Sequence, residues 1–218
     1  MYKNVLIVLD MDETLIMVNP IENDDLHLYE IKYKITNDII LSNILYNIND
    51  ITEYNRLYKI IYAIARPGLY EFLDYIFENF TVGLWTAAQG FWMDFILSTV
   101  LCEYKNKFLF TWSRDKCYKG LYKKKEIIYD TYPLYKDMYI LIDDNEYITG
   151  EYNDDNILFK TPEYQILVKK YNSRVDNELL IIKKLFMDFI EEKNTEDKKN
   201  INTVPFKYNY SCYDPSIY

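Results

Sequence analysis

Three short apolar runs, each stopped by an oxygen-bearing side chain, constrain this chain more than any other feature. VLIVL (residues 5–9) runs into Asp10, FTVGLW (80–85) into Thr86, and MYILI (138–142) into the pair Asp143-Asp144. Runs of this length without polar alternation suit strands buried on both faces, as in parallel sheets. Helical spacing lies between them. Leu69, Phe72, Leu73, Ile76 and Phe77 fall at i, i+3, i+4, i+7 and i+8 behind the turn Arg66-Pro67-Gly68, and residues 92–101 read as a second helix. Strands alternating with helices predict an α/β fold whose central, mainly parallel sheet is flanked by helices. Ligands bind such sheets beyond the carboxyl ends of the strands. Side chains more than 130 residues apart, from Asp10 to Asp144, would therefore meet at one edge.

The remaining segments are read more coarsely. Residues 28–35 alternate like a strand, 39–48 read as a short helix, 58–65 as a strand and 156–159 as a fourth buried strand. Asp176 is the candidate cap of a last helix with apolar residues through Ile190, and the polar stretch 191–202 reads as a linker to an aromatic tail. The 218 residues, half of them apolar, suffice for one domain with an elaboration. The 24 tyrosines are read as buried aromatic mass.

Composition excludes several functions. A net charge of −9 argues against a broad nucleic-acid surface and against binding to anionic membrane. No uncharged apolar run approaches the ~18 residues of a membrane span, and MYKNVLIVLD meets Asp10 too soon for a secretory signal. Cys102, Cys117 and Cys212 fit free thiols in a reducing, intracellular compartment. His27 is the sole histidine, which removes sites built on two imidazoles.

Four carboxylates at one sheet edge (Asp10, Asp12, Asp143 and Asp144) cannot all ionise without a compensating cation. An all-oxygen donor set suits Mg²⁺, which keeps waters and favours a phosphate partner. The run Lys123-Lys124-Lys125 offers a further positive group. Carboxylate nucleophile, hard cation, lysine and hydroxyl together describe phosphoryl transfer through an aspartyl-phosphate.

The same residues carry a resemblance. LDMDETL resembles the DxDxT signature of the haloacid dehalogenase (HAD) superfamily, in the DxDETL form of the FCP/SCP-type phosphatases that act on the C-terminal domain (CTD) of RNA polymerase II and related phosphoproteins. Further blocks follow in order. RPGLYEFL resembles the family's RPG-x-x-EFL, and LWTAAQGFWMDFI its F-T-A-S-x-x-x-Y-A-D-x-V, with Trp92 at the aromatic position and Asp94 at the aspartate. Arg114-Asp115-Lys116-Cys117 resembles R-E-x-C, with Gly120 and Tyr122 following as in G-x-Y-x-K-D-L. YILIDDN resembles the strand that ends in the acidic pair, and DNELL the opening of the terminal helix. A lone DxDxT would be weak; six ordered blocks from residue 4 to 190 are specific.

The resemblance implies a HAD-like Rossmannoid fold with a small β-rich insertion. It implies a phosphatase domain over residues 1–190, a variable insertion at 20–57 and a linker with tail at 191–218. It makes Asp10 the nucleophile and Asp12 the acid, then base. Thr86 and the amides after Asp10 would hold phosphate oxygens, and Thr14 would brace the loop. Mg²⁺ would rest on Asp10, the carbonyl of Asp12 and Asp144, with Asp143 orienting the lysine or a metal-bound water. Counting from Tyr122 makes that lysine Lys124, whereas matching K-E-I to K-D-L makes it Lys125, the choice taken here. Arg66, Arg114, Asp94 and Glu71 are read as structural, Cys117 as a packed thiol and His27 as a surface residue. Asn145-Glu146 stands where the family has Ser-Pro, and the 19–57 segment is long, so peptide specificity does not transfer. The implied partner is a phosphorylated protein or peptide, the polymerase CTD being one case, in cytoplasm or nucleus. Two alternatives stay open: a HAD phosphatase for a nucleotide, polynucleotide end or small metabolite, and a catalytically silent adaptor. Retention of both Asp10 and Asp12 disfavours the adaptor.

Overall fold

The computed structural model describes residues 2–20, 41–44, 61–136, 138–149, 158–164 and 176–195. Its strands are β1 (Tyr2–Leu9), β2 (Ile16–Pro20), β3 (Leu41–Ile44), β4 (Ile61–Ala65), β5 (Phe80–Trp85), β6 (Thr111–Trp112), β7 (Tyr139–Asp143) and β8 (Leu158–Lys160). Its helices are α1 (Leu69–Asn79), α2 (Gly90–Ser98), α3 (Lys125–Thr131) and α4 (Glu178–Thr195).

Five strands form one parallel sheet in the order β6-β5-β1-β7-β8, with β1 at the centre. Apolar side chains alternate between its two faces, as the period of a strand requires. Val5, Ile7 and Leu9 enter one core with Ile140 and Ile142, while Leu6 and Val8 enter the other with Tyr139 and Leu141. Both faces are therefore covered, which is why these strands read as unbroken apolar runs. The first core takes α1 and α4 through Phe72, Leu73, Ile76, Leu179, Ile182 and Phe186, the second α3 through Ile128.

Helix α1 buries the spacing read from sequence: Leu69, Phe72, Leu73 and Ile76. Gly68 precedes it at φ 75, and a Cβ there would lie 2.7 Å from Leu180 Cγ, so the turn needs glycine for both backbone and space. Asp176 Oδ1 accepts from the Glu178 amide at 3.2 Å and caps α4. That helix continues to Thr195, so the stretch expected to be linker from residue 191 starts as helix.

A second sheet, β2-β4-β3, is antiparallel and leaves the main sheet directly after the β1 loop. It is the small β-rich insertion, and it corrects one reading: the helix expected over 39–48 is strand at Leu41–Ile44, paired with β4. The strand read at 28–35 lies outside the described residues.

Candidate active site

Asp10 follows β1, and its amide still donates to Ile142 O at 2.9 Å, so the chain stays in register one residue beyond the strand. It then coils. Leu15 and Ile16 donate to Met11 O, and Glu13 adopts φ 61. Met11 and Leu15 are fully buried and anchor the loop from below. The Thr14 hydroxyl donates to Asp144 Oδ1 at 3.0 Å and accepts from the Asp144 amide at 3.1 Å, tying this loop to the end of β7.

The centre of the site is a buried lysine. Lys123 Nζ donates to Asp10 Oδ1 at 2.5 Å and to Asp143 Oδ2 at 2.6 Å. Sequence matching selected Lys125, with Lys124 open; the structure puts Lys123 between the two aspartates and starts α3 at Lys125. The cause is the turn before it. Tyr118 and Tyr122 exchange amide–carbonyl bonds at 2.8 and 3.0 Å, the next amide, that of Lys123, donates to Ile148 O at 2.8 Å, and the side chain enters the site. Burial alone would pull the ammonium down, but Asp10 and Asp143 outweigh it and hold Lys123 above the ordinary lysine range. The triad is thus an ammonium between two aspartates.

Asp12 has a different environment. Its Oδ1 accepts from the Trp92 indole Nε1 at 2.8 Å and its Oδ2 from the Thr86 hydroxyl at 3.0 Å. Burial, with the charge of Asp10 adding, raises its carboxyl to about 6 against the donors and Lys123. Thr86 was read from sequence as a phosphate holder; here its hydroxyl orients Asp12 and accepts from the Ala88 amide at 2.9 Å. Trp92 was placed only at an aromatic position, and its bond to Asp12 was not foreseen. The signal was present: an indole in the first turn of α2, six residues after the strand-ending Thr86, can donate but not accept.

Carboxylate oxygens of Asp10, Asp143 and Asp144 lie within 4.8 Å of one another. Burial and the charge of Asp10 push Asp144 upward, and burial first, then Asp10, pushes up Asp143 against the pull of Lys123. One lysine does not balance this set, so the donors fit a hard divalent cation. Asp143 already accepts from Lys123 at Oδ2 and from the Asn145 amide at Oδ1, at 2.9 Å. Asp10 and Asp144 could therefore each offer an oxygen to such a cation, while both oxygens of Asp143 already accept hydrogen bonds.

The structural readings have equally definite positions. Arg66 Nε pairs with Asp176 at 3.0 Å, and Glu71 accepts from Lys183 at 2.6 Å. Arg114 Nε donates to Ala87 O at 2.7 Å, Asp94 is exposed and Cys117 is buried. His27 lies outside the described residues.

Acidic side chains and a buried lysine thus meet at the carboxyl edge of a parallel sheet, in an α/β fold of the HAD-like class. The family model of the NLI interacting factor-like phosphatases matches residues 5–197, and the chain belongs to that family of phosphoric monoester hydrolases. It is similar to the CTD phosphatase-like protein 355R of Invertebrate iridescent virus 3, 29% identical over 57% of this chain and 72% of the relative. Its fold is shared with fission yeast Fcp1, an RNA polymerase II CTD phosphatase solved with beryllium fluoride. That match has a TM-score of 0.58 and 16% identity, covering 87% of this chain and 51% of the other. A second Fcp1 structure matches at 0.57 and 16%, covering 91% and 55%. The chain thus spans about half the length of the solved Fcp1 chains.

Proposed function

We propose that this chain is a Mg²⁺-dependent phosphatase that cleaves phosphoserine or phosphothreonine in a protein segment through a phosphoaspartate on Asp10. The observation that carries the reading is the contrast in partners between two neighbouring carboxyls, Asp10 on Lys123 and Asp12 on Thr86 and Trp92. Asp10 lies against an ammonium at 2.5 Å, whereas Asp12 is raised to about 6. A charge-paired carboxylate suits a nucleophile, and a carboxyl tuned towards neutrality suits an acid.

The steps follow from these positions. An Asp10 oxygen attacks phosphorus, the bond from phosphorus to the serine or threonine oxygen breaks, and Asp12 gives that oxygen its proton. Asp12, now ionised, accepts a proton from water as the water oxygen attacks the phosphoaspartate, releasing inorganic phosphate and restoring Asp10. Lys123 supplies positive charge beside the transferring group, and Thr86 with Trp92 fixes the direction of Asp12. Asp10, Asp144 and the Asp12 carbonyl would hold Mg²⁺, which would add positive charge against the phosphate oxygens.

A protein substrate is supported by the family and by the viral relative and Fcp1, both named for the CTD. Among the described residues no helix is long and apolar enough to cross a membrane. The free thiols Cys102 and Cys117 support an intracellular setting.

The test is hydrolysis of p-nitrophenyl phosphate with Mg²⁺, wild type beside Asp10→Asn. Wild-type turnover that falls at least a thousandfold in the variant, stops with EDTA and returns with Mg²⁺ is the expected result. Activity surviving in Asp10→Asn would remove the covalent step, and activity surviving thorough chelation would remove the metal.

A further inference from the structure

Both ends of the Lys123–Asp143 bridge are held by one turn, residues 145–148, which follows β7. At its start the Asn145 amide donates to Asp143 Oδ1 at 2.9 Å. At its end Ile148 O accepts from the Lys123 amide at 2.8 Å. The turn also closes on itself. The Ile148 amide donates to Asn145 O at 3.2 Å, and the Tyr147 amide donates to the Asn145 side chain, at Oδ1, at 2.9 Å. In the second bond a side-chain carbonyl takes the place of a backbone one, as asparagine commonly does in turns. Lys123 Nζ completes the circuit on Asp143 Oδ2 at 2.6 Å.

A closed circuit does what a lone ion pair cannot. A lysine side chain gives up much rotamer freedom when it is held in one geometry. Here the Lys123 backbone is fixed against the same strand end that carries Asp143, so the side chain starts from a set point. The two ends of the turn are not held alike. Ile148 is buried in the core with Leu141 and Cys117, whereas Asn145, Glu146 and Tyr147 are exposed. Glu146 reaches Lys160 at 2.9 Å, but both are about half exposed, where such pairs contribute little. The open end of the turn is therefore held by the bonds of Asn145, and one of these depends on its side chain.

We propose that Asn145 is a positioning residue: its side chain fixes the turn, and the turn sets the Lys123 ammonium between Asp143 and Asp10. Its bonds go to Asp143 and to its own turn, so its effect on the reaction passes through Lys123. This rests on the phosphatase reading of the site.

The experiment compares steady-state kinetics on p-nitrophenyl phosphate with Mg²⁺. Asn145→Ala is expected to lower kcat about five- to tenfold, the range of one hydrogen bond, with KM within twofold. Asn145→Ser, whose hydroxyl can accept the same amide, should recover kcat to within about twofold of wild type. Lys160→Gln, which breaks the exposed pair in the same turn, should change nothing. The decisive comparison places Asn145→Ala in a Lys123→Met background. A residue that acts through the lysine then has nothing left to act on, so the double variant should match Lys123→Met alone within twofold. A full further loss in the double variant would make Asn145 a general support of the fold, and no loss in Asn145→Ala would mean the turn holds without it. Either result overturns the proposal. Magnetic resonance of ¹⁵N-labelled lysine ammonium groups reads the circuit apart from turnover. The Lys123 signal, identified by its absence from Lys123→Met, should exchange with solvent at least fivefold faster in Asn145→Ala and recover in Asn145→Ser. That result in a protein without wild-type turnover would reject the phosphatase and keep the circuit. Wild-type turnover with kcat and signal both unchanged in Asn145→Ala would do the reverse.

Discussion

Lys123 shows where reading by residue succeeds and where it stops. Asp10, Asp12, Asp143 and Asp144 were legible because each lies at or just beyond the end of a buried strand, marked by the change from apolar to acidic. No such mark fixes a loop lysine, since the number of residues a turn consumes depends on its backbone path. Here Lys119 and Gly120 in left-handed conformation shorten that path, and the first lysine of the run reaches the site. Lys123→Met is expected to lower kcat by at least a hundredfold, whereas Lys125→Met should stay within about threefold; steady-state kinetics on phosphopeptide decides between them. The second residue-scale prediction concerns Asp12, whose burial raises it to about 6. The acid acts while protonated, so kcat/KM on phosphoserine substrates should fall as pH rises through about 6. Trp92→Phe removes a bond that aims this carboxyl. Its loss should be about tenfold or more on phenyl phosphate, whose leaving group needs the proton, and small on p-nitrophenyl phosphate, whose leaving group departs as an anion. Equal losses on both would make Trp92 merely structural.

Elements were legible in proportion to how locally they are determined. β1, β5 and β7 announce themselves by composition because both their faces are buried, and α1 by its period. β3 does not, because four residues paired to β4 owe their conformation to a partner distant in sequence, and the apolar spacing around them also fits a helix. β6 is two residues long and exists through its pairing with β5 at Leu84 and Trp85. That pairing brings β5 close to the aromatic ring just before β6. A Cβ on Gly83 would approach Phe110 ring carbons to 2.7 and 2.8 Å, and the ring is itself stacked on Trp112 at 3.9 Å and Tyr132 at 5.4 Å. Gly83→Ala therefore has no easy relaxation. It should destabilise by about 1–3 kcal/mol, the usual range for overpacking, read as a lower urea midpoint with the slope unchanged. A wild-type midpoint would mean that Phe110 can move aside.

At the scale of the whole molecule, one buried arginine joins segments that the sequence leaves far apart. Arg66 is 1% exposed; Nη1 donates to Thr14 O in the loop after β1 and Nη2 to Pro162 O beyond β8, each at 3.0 Å. Its Nε reaches Asp176, the cap of α4, at 3.0 and 3.2 Å, and the guanidinium lies 5.3 Å from the centre of the Tyr164 ring. Sequence reading made Arg66 structural but could not name its partner, 110 residues away, because only the assembled fold brings α4 against the β1 loop. The energetic consequence is asymmetric. The pair itself adds little against two well-packed apolar groups, but removing one member leaves a buried charge uncompensated, typically at about 3–5 kcal/mol. Asp176 is partly exposed, which lets water soften the loss, so Asp176→Asn should lower stability by about 2 kcal/mol. The variant also keeps a side-chain oxygen able to cap Glu178, which separates the loss of charge from the loss of the cap. Because the same arginine holds Thr14 O, the damage should also reach the site: Asp176→Asn should weaken Mg²⁺ protection against thermal unfolding as well as lower the urea midpoint. A lower midpoint with unaltered Mg²⁺ protection would confine Arg66 to anchoring α4.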